Sequence, residues 1–388
     1  MQLSGLEVMV VGGGIAGLAA ACAFAQRGAS VMVLEQAAAF REVGAGLQIS
    51  PNGARVLSAL GQGPVLAQIG LLSQGVVLRD SLKGREVLHL SLPSTGPGFH
   101  LVHRADLVDL LANACSNVSF RFASSVEKVF PEGPRPSIVL ADGERLSADL
   151  LIGADGLHSV VRPALQPGAP KAAFFTGQVA WRALITGSAD DTPHAQVFMG
   201  PGRHLVSYPL RNGQLRNIVA VEERTSWAQE GWDHPDNPAH IRAAFAGFGG
   251  PVPAWLSQIE KVWLWGLFRH AVAEHWQKGH AVILGDAAHP TLPFMAQGAN
   301  LALEDAFVLA RSFGGATDIR DALARFQKMR HARVVKIVAA ANRNARNYHL
   351  RGPFAQFAHL ALRLSARVAP DAPLQKFAWI YDHDVTET

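Results

Sequence analysis

Three stretches of the 388-residue chain place glycine and aspartate where a long polar ligand could be held. In "GGGIAG", Gly12, Gly14 and Gly17 give a G-x-G-x-x-G spacing directly behind the apolar run "LEVMVV". The first glycine permits a tight turn, the second lets backbone reach a pyrophosphate at a helix N-terminus, and the third allows close helix–strand packing. Glu35, 18 residues after Gly17 at the end of the next apolar run, is placed to accept hydrogen bonds from a ribose hydroxyl. "LLIGADGLHSVVR" sets Asp155 and Gly156 behind another buried run, where the pair reads either as a capped turn or as a ligand contact. "LGDAAHPTLPFMAQGAN" sets Gly285 and Asp286 behind a further one, then opens a helix near Gly298 whose free N–H groups point back toward the carboxylate. Three such strand ends fit one ligand lying across the carboxyl edge of a sheet, longer than an ADP half requires. The glycine motif alone does not separate NAD from FAD, because both carry that half.

The elements that must position these residues follow from periodicity. "LEVMVV", "GGGIAGLAAACAFAQRGA" and "SVMVLE" read as strand, helix and parallel strand, which sets the class as doubly wound α/β, a Rossmann-like dinucleotide-binding domain. Between Gly75 and Leu90, and again between Phe174 and Phe268, short β-like runs separated by Gly, Pro and Asn predict an antiparallel-sheet substrate domain interleaved with the first. The expected division is 1–74, 91–170 and 269–352 for the nucleotide, 75–90 and 171–268 for the substrate, and a helical tail over 353–388. Within "HLVSYPL", His204 and Tyr208 stand an even number of positions apart, so a strand points both side chains to one face.

Composition narrows the class. No apolar stretch approaches the roughly 20 residues of a bilayer span, and no basic segment precedes the N-terminal apolar run, so a soluble, cytoplasmic monomer or homodimer is expected. Cys22 and Cys115 are too few for a disulfide framework and are expected in the core. Sixteen histidines show no ligand spacing such as HExxH, so no metal is assigned. The basic stretch from Lys328 to Arg351 reads as the solvated face of a long helix, and without a recognisable binding module it implies no nucleic acid.

In their order and spacing the three clusters resemble the single-component FAD-dependent aromatic hydroxylases, the group A flavoprotein monooxygenases, over almost the whole chain. "GAGLQISPNG", "VHRADL" and "HLVSYPLRNGQLRNIVAV" are similar to the branch of salicylate hydroxylase, 3-hydroxybenzoate 6-hydroxylase and 6-hydroxynicotinate monooxygenase. The resemblance implies non-covalent FAD, transient NAD(P)H, and O2 captured as a flavin C4a-hydroperoxide that passes oxygen to a small phenolic or hydroxy-heteroaromatic acid. Carried over by motif, Gly12, Gly14, Ile15, Ala16, Glu35 and Gln36 hold the ADP half, with Arg41 near the adenosine. Arg104 lies against pyrophosphate and ribityl, and Asp286, beside Gly285, accepts from a ribityl hydroxyl. Asp155, Gly156 and Arg162 belong to the motif linked to both FAD and the pyridine nucleotide. Gln48 and Pro293 border the flavin, whose N1 and C2 carbonyl face the backbone of Gly298, Ala299 and Asn300. The His-x-x-x-Tyr match implies His204 as proton acceptor and Tyr208 as orienting donor, with Trp181, Arg182, Met199 and Phe294 as further pocket residues. The rival readings are the same chemistry on a larger polyketide-like substrate, epoxidation, or a nicotinamide dehydrogenase without flavin.

Overall fold

The structure is a computed structural model and describes residues 2–387 apart from 41–44, 167, 169–172, 225–233 and 369–371. Arg41 therefore lies outside the described residues. A six-stranded sheet runs in the order Gln277–Lys278, Ala281–Ile283, Leu150–Gly153, Glu7–Val11, Ser30–Leu34, Val118–Arg121. All its pairings are parallel except the edge pair Gln277–Lys278 with Ala281–Ile283. Continuous apolar runs suit such strands, because both faces are covered. Helices Ile15–Ala25 and Gly298–Ser312 pack on one another over this sheet, and both cysteines are buried in the same core. Ala281–Ile283, Leu150–Gly153 and Glu7–Val11 are adjacent and parallel, so their carboxyl ends deliver Gly285–Asp286, Asp155 and Gly12 side by side.

An eight-stranded sheet runs His234–Asp236, Val262–Arg269, Phe174–Thr186, Leu215–Glu223, Arg203–Leu210, His194–Gly200, Gly75–Asp80, Glu86–Ser91. The sequence reading made this sheet antiparallel throughout; Gly75–Asp80 instead pairs parallel with His194–Gly200, because more than a hundred residues of chain lie between them and no hairpin constrains their direction. Left-handed φ values at Arg211 (47°), Asn212 (54°) and Gly213 (85°) close the turn between Arg203–Leu210 and Leu215–Glu223. The resulting register opposes His204 to Val221 and Val206 to Val219, and on the next strand Val219 to Arg182.

Alternation then divides the sheet. One face, carrying Trp181, Phe198, Leu205, Ile218 and Ala220, is covered by helices Pro238–Ala244 and Val252–Ser257. The other carries Arg182, His204, Tyr208, Val219 and Val221 toward the nucleotide-binding sheet. Trp181 is consequently removed from the pocket: it neighbours Arg182 on one strand and must face away, where its indole donates to Asp236 at 2.7 Å. Met199 is also removed, since it lies one strand farther out and clusters with Val87 and Val197.

Helix Ile319–Tyr348 corrects the reading of a wholly solvated basic face. Arg330 is 1% exposed and ion-paired to Glu304 and Asp305, while Arg333 reaches Glu304 at 2.8 Å. Helices Gly352–Val368, Ala372–Gln375 and Ala378–Tyr381 follow, and Ile380 returns to the core. Among the described residues, no helix is long and apolar enough to cross a membrane.

Candidate active site

A single cleft joins the carboxyl edge of the parallel sheet to the inner face of the eight-stranded one. At the parallel edge Gly14, Ile15 and Ala16 open the first helix onto it, flanked by Ala154 and Gly156. Gly12 does not line the cleft but makes its turn possible: φ is 105°, and an added Cβ would stand 2.5 Å from the Ala154 carbonyl oxygen. At Gly17 a Cβ would meet the Gly12 carbonyl oxygen at 1.9 Å, which fixes the helix against the turn. At Gly14, by contrast, a Cβ would touch nothing within 4 Å, so the space over that position is open for a ligand. Glu35 braces the turn by accepting from the Gly13 amide at 2.8 Å, and Gln36 is exposed beyond it.

Arg104 and Asp286 both line the cleft and lie close enough to feel each other's charge. Burial pushes the Asp286 carboxyl upward, opposed by His289 and Arg104, and burial likewise lowers Arg104 against the pull of Asp286. Beyond them Gln48, Pro293, Gly298 and Ala299 form the wall where helix Gly298–Ser312 begins. This helix end is held by side chains rather than by a cap. Asn300 accepts from the Ser50 amide at 3.0 Å and donates to the carbonyls of Gln48 (3.0 Å) and Ala296 (2.6 Å). The Asn300 side chain is thus a clamp, and it keeps Ala296 in a left-handed φ of 52° that a non-glycine residue adopts at a cost.

Two further expectations change. Arg162 donates to the carbonyls of Ala287, Ala288 and Ala271, which makes it a strut behind the Gly285–Asp286 turn. Asp155 caps the next turn, its Oδ2 accepting from the Val160 amide at 2.7 Å, while its Oδ1 is buried without a hydrogen-bond partner. Gly285 also stands behind the cleft, φ 59°, with its amide donating to Asp305 at 3.1 Å. His289 serves the same turn through Asp305 at 2.5 Å.

At the far end of the cleft lie His204, Tyr208 and Arg182, framed by Val206, Val219, Val221, Trp265 and Leu292. Phe294 packs on His204 with centroids 5.4 Å apart. The Arg182 guanidinium stacks on Trp265 at 3.3 Å, its Nε is buried without a hydrogen-bond partner, and no carboxylate acts on it among the described residues. Burial, and then Arg104, pushes Arg182 down to about 9, so it remains a cation at neutral pH. Burial holds His204 well below the ordinary imidazole value, with His349 adding to it, and raises the Tyr208 phenol against the opposing Arg182 charge. The pair is therefore a neutral base beside a neutral hydroxyl donor.

The FAD binding domain family matches residues 5–341. The chain belongs to that family. It is 33% identical over 387 residues to a 3-amino-4-hydroxybenzoate 2-monooxygenase of Streptomyces platensis, covering 97% of this chain and 95% of the relative. It is 34% identical over 364 residues to a 3-hydroxybenzoate 6-hydroxylase of Polaromonas naphthalenivorans, covering 89% of each. A salicylate hydroxylase substrate complex shares the fold with a TM-score of 0.83 at 24% identity, over 99% of this chain and 97% of that one. The protein is an FAD-dependent aromatic monooxygenase, with NAD(P)H and O2 as co-substrates, and the flavin-free dehydrogenase reading falls.

The site of this monooxygenase fits FAD on three independent features: open space over Gly14, the Arg104–Asp286 pair, and a helix N-terminus at Gly298. A Gly14→Leu substitution tests the first. Gly14 has an unstrained φ of −79°, so the apo-protein should melt as the wild type does while FAD affinity drops about tenfold or more, some 1.4 kcal/mol, measured by flavin fluorescence. Residues that sequence reasoning missed include His349, which touches His204, and Asp305, which organises the Gly285 turn. Asp305 had a signal, an acid about two turns inside a largely buried helix. His349 had none, since it follows the end of a helix remote in sequence from the strand it meets.

Proposed function

We propose that this monooxygenase hydroxylates a small phenolic or hydroxy-heteroaromatic acid, with Arg182 binding the carboxylate and His204 accepting the phenol proton. The observation that carries the reading is Arg182, a half-buried cation that lines the cleft, with its Nε buried and no acidic partner among the described residues. An unpaired charge in such surroundings is costly, and a ligand carboxylate on the planar fork restores the balance. The valines at 206, 219 and 221 with Leu292 leave an apolar slot of the kind that takes an aromatic ring. Residues 1–74, 91–170 and 269–352 would hold the flavin, 75–90 and 171–268 the substrate, and 353–388 the tail.

When bound, FAD supplies the reducing equivalents and activates O2 for transfer of one oxygen atom to the ring. The protein's part is to prepare the acceptor. A phenol with a tyrosine-like pKa near 10 is only about 0.1% ionised at pH 7, and full ionisation costs about 4 kcal/mol. His204, neutral and buried, takes that proton while Tyr208 donates to the ring oxygen and fixes its place.

The test is a panel of acids with their matching primary amides: salicylate, 3-hydroxybenzoate, 3-amino-4-hydroxybenzoate and 6-hydroxynicotinate. Each is assayed for acceleration of FAD reduction by NADH and NADPH, with product analysis. Wild type should favour an acid over its amide. A hydrogen-bonded ion pair contributes about 1.5–3 kcal/mol, so Arg182→Gln should weaken the acid about 10- to 100-fold and leave the amide within about threefold. Equal losses for acid and amide would remove the carboxylate from Arg182.

A further inference from the structure

His204 is not isolated at the end of the cleft. Its Nδ1 lies 2.7 Å from His349 Nε2, and His349 Nδ1 lies 2.9 Å from Glu223 Oε1. Glu223 sits at the end of strand Leu215–Glu223, its side chain 40% exposed, and its Oε2 accepts from Arg351 at 2.8 Å. We propose that His349 and Glu223 form a proton path between the buried base and solvent, and that this path fixes which nitrogen of His204 faces the substrate. The inference rests on the reading of His204 as the base.

Hydrogen-bond chemistry sets the direction. A carboxylate only accepts, so His349 must present Nδ1–H to Glu223 and a lone pair on Nε2. That lone pair can take only a donor, so His204 carries its proton on Nδ1 and keeps the Nε2 lone pair for the cleft. The nitrogen left free is the one a base needs. Burial alone would raise Glu223, but the hydrogen bond from His349 and the charge of Arg351 hold it below the usual carboxylate range, which keeps the acceptor end ionised. Burial lowers His349, so both rings rest neutral.

The other groups around the path leave it open. Tyr348 and Phe294 pack on the His204 ring, and the Tyr348 hydroxyl is engaged by Asn344 at 3.1 Å. Arg203 and Arg224 are both paired with Glu222. Only Arg351 reaches Glu223 besides His349 among the described ion pairs.

The transfer balances. The phenol proton passes to His204 Nε2, the Nδ1 proton to His349 Nε2, the His349 Nδ1 proton to Glu223, and from Glu223 to water. The phenol loses one proton and solvent gains one. The same path in reverse reprotonates the product and resets both rings. Without it the proton taken by His204 would have no described exit from that buried position, and the imidazolium would be opposed by the same burial that keeps the ring neutral.

FAD-loaded Glu223→Gln, His349→Gln and His204→Ala proteins should be compared with wild type in single-turnover hydroxylation of 3-hydroxybenzoate, or of whichever panel acid the wild type hydroxylates fastest, across pH 6 to 10. Glu223→Gln and His349→Gln should keep FAD content and acid affinity within about twofold. They should slow oxygen transfer about tenfold or more at pH 7, recover as pH rises toward the phenol's own pKa, and alter the solvent deuterium isotope effect. A slowing independent of pH, or no slowing in either variant, would overturn the path. If His204→Ala is slow and recovers at high pH while the other two behave as wild type, only the path fails. If His204→Ala is itself unimpaired, the base assignment fails and the path with it.

Discussion

Replacing His204 with alanine is expected to leave FAD bound and to slow hydroxylation of a phenolic acid about 10²- to 10⁴-fold at pH 7, the usual worth of a positioned general base. The size follows from the proton it removes. With the base gone, the reactive phenolate must come from solution ionisation, whose population at pH 7 is about a thousandth of the total for a phenol near pKa 10. Each unit of pH then restores about tenfold, so the variant should approach wild type near pH 10, while wild type itself stays flat over the range. Measuring bound flavin by absorbance and oxygen transfer in single turnovers separates loss of cofactor from loss of chemistry. His204→Gln, which keeps bulk against Phe294 and Tyr348, should show the same pH rescue. Undiminished hydroxylation by both variants would take the histidine out of the reaction.

How far this site could be read from the chain alone depended on whether a residue's role is set locally. Gly12, Gly14 and Gly17 were legible because turn, backbone approach and helix packing are all decided within six residues of chain. Asp286 and the start of the helix at Gly298 were legible for the same reason. The face shared by His204 and Tyr208 followed from strand parity alone. The same parity forbids Trp181 and Arg182 from lining one pocket together, and only the hairpin register and its covering helices decide that Arg182 is the one turned inward. Arg162 and Asn300 sit inside motifs that line the cleft, yet their side chains spend their hydrogen bonds on backbone. No residue pattern distinguishes a polar side chain that contacts a ligand from one that holds the loop doing so. Charged residues on a helix read as solvated, and Arg330 is buried because two acids on the neighbouring helix meet it, a pairing 25 and 26 residues apart.

That buried arginine carries the other large effect. Arg330→Met should destabilise the fold by about 3–5 kcal/mol, because it leaves Glu304 and Asp305 side by side without their fully buried cation. The consequence reaches the cofactor: Asp305 holds the Gly285 amide and His289, and Glu304 accepts from Asn52, whose amide also reaches Gln297 beside Gly298. Burial by itself would raise both carboxyls; His289 and Arg330 hold Asp305 below its ordinary value, and Arg330 with Arg333 does the same for Glu304. A carboxyl lowered on folding stabilises the native state fully above its unfolded pKa, near 4, and loses that contribution as pH falls through the folded value. Wild type should therefore lose stability progressively below about pH 4, and Arg330→Met, lacking the lowering charge, should show a smaller loss over that interval and a larger deficit at pH 7. Urea midpoints of the apo-protein at pH 7, pH 4 and pH 3 measure both. Adding Glu304→Gln and Asp305→Asn to Arg330→Met should recover part of the deficit at pH 7, since the penalty comes from stranded charge rather than lost volume. A triple variant no more stable than the single one would show that packing, not charge, is what Arg330 supplies.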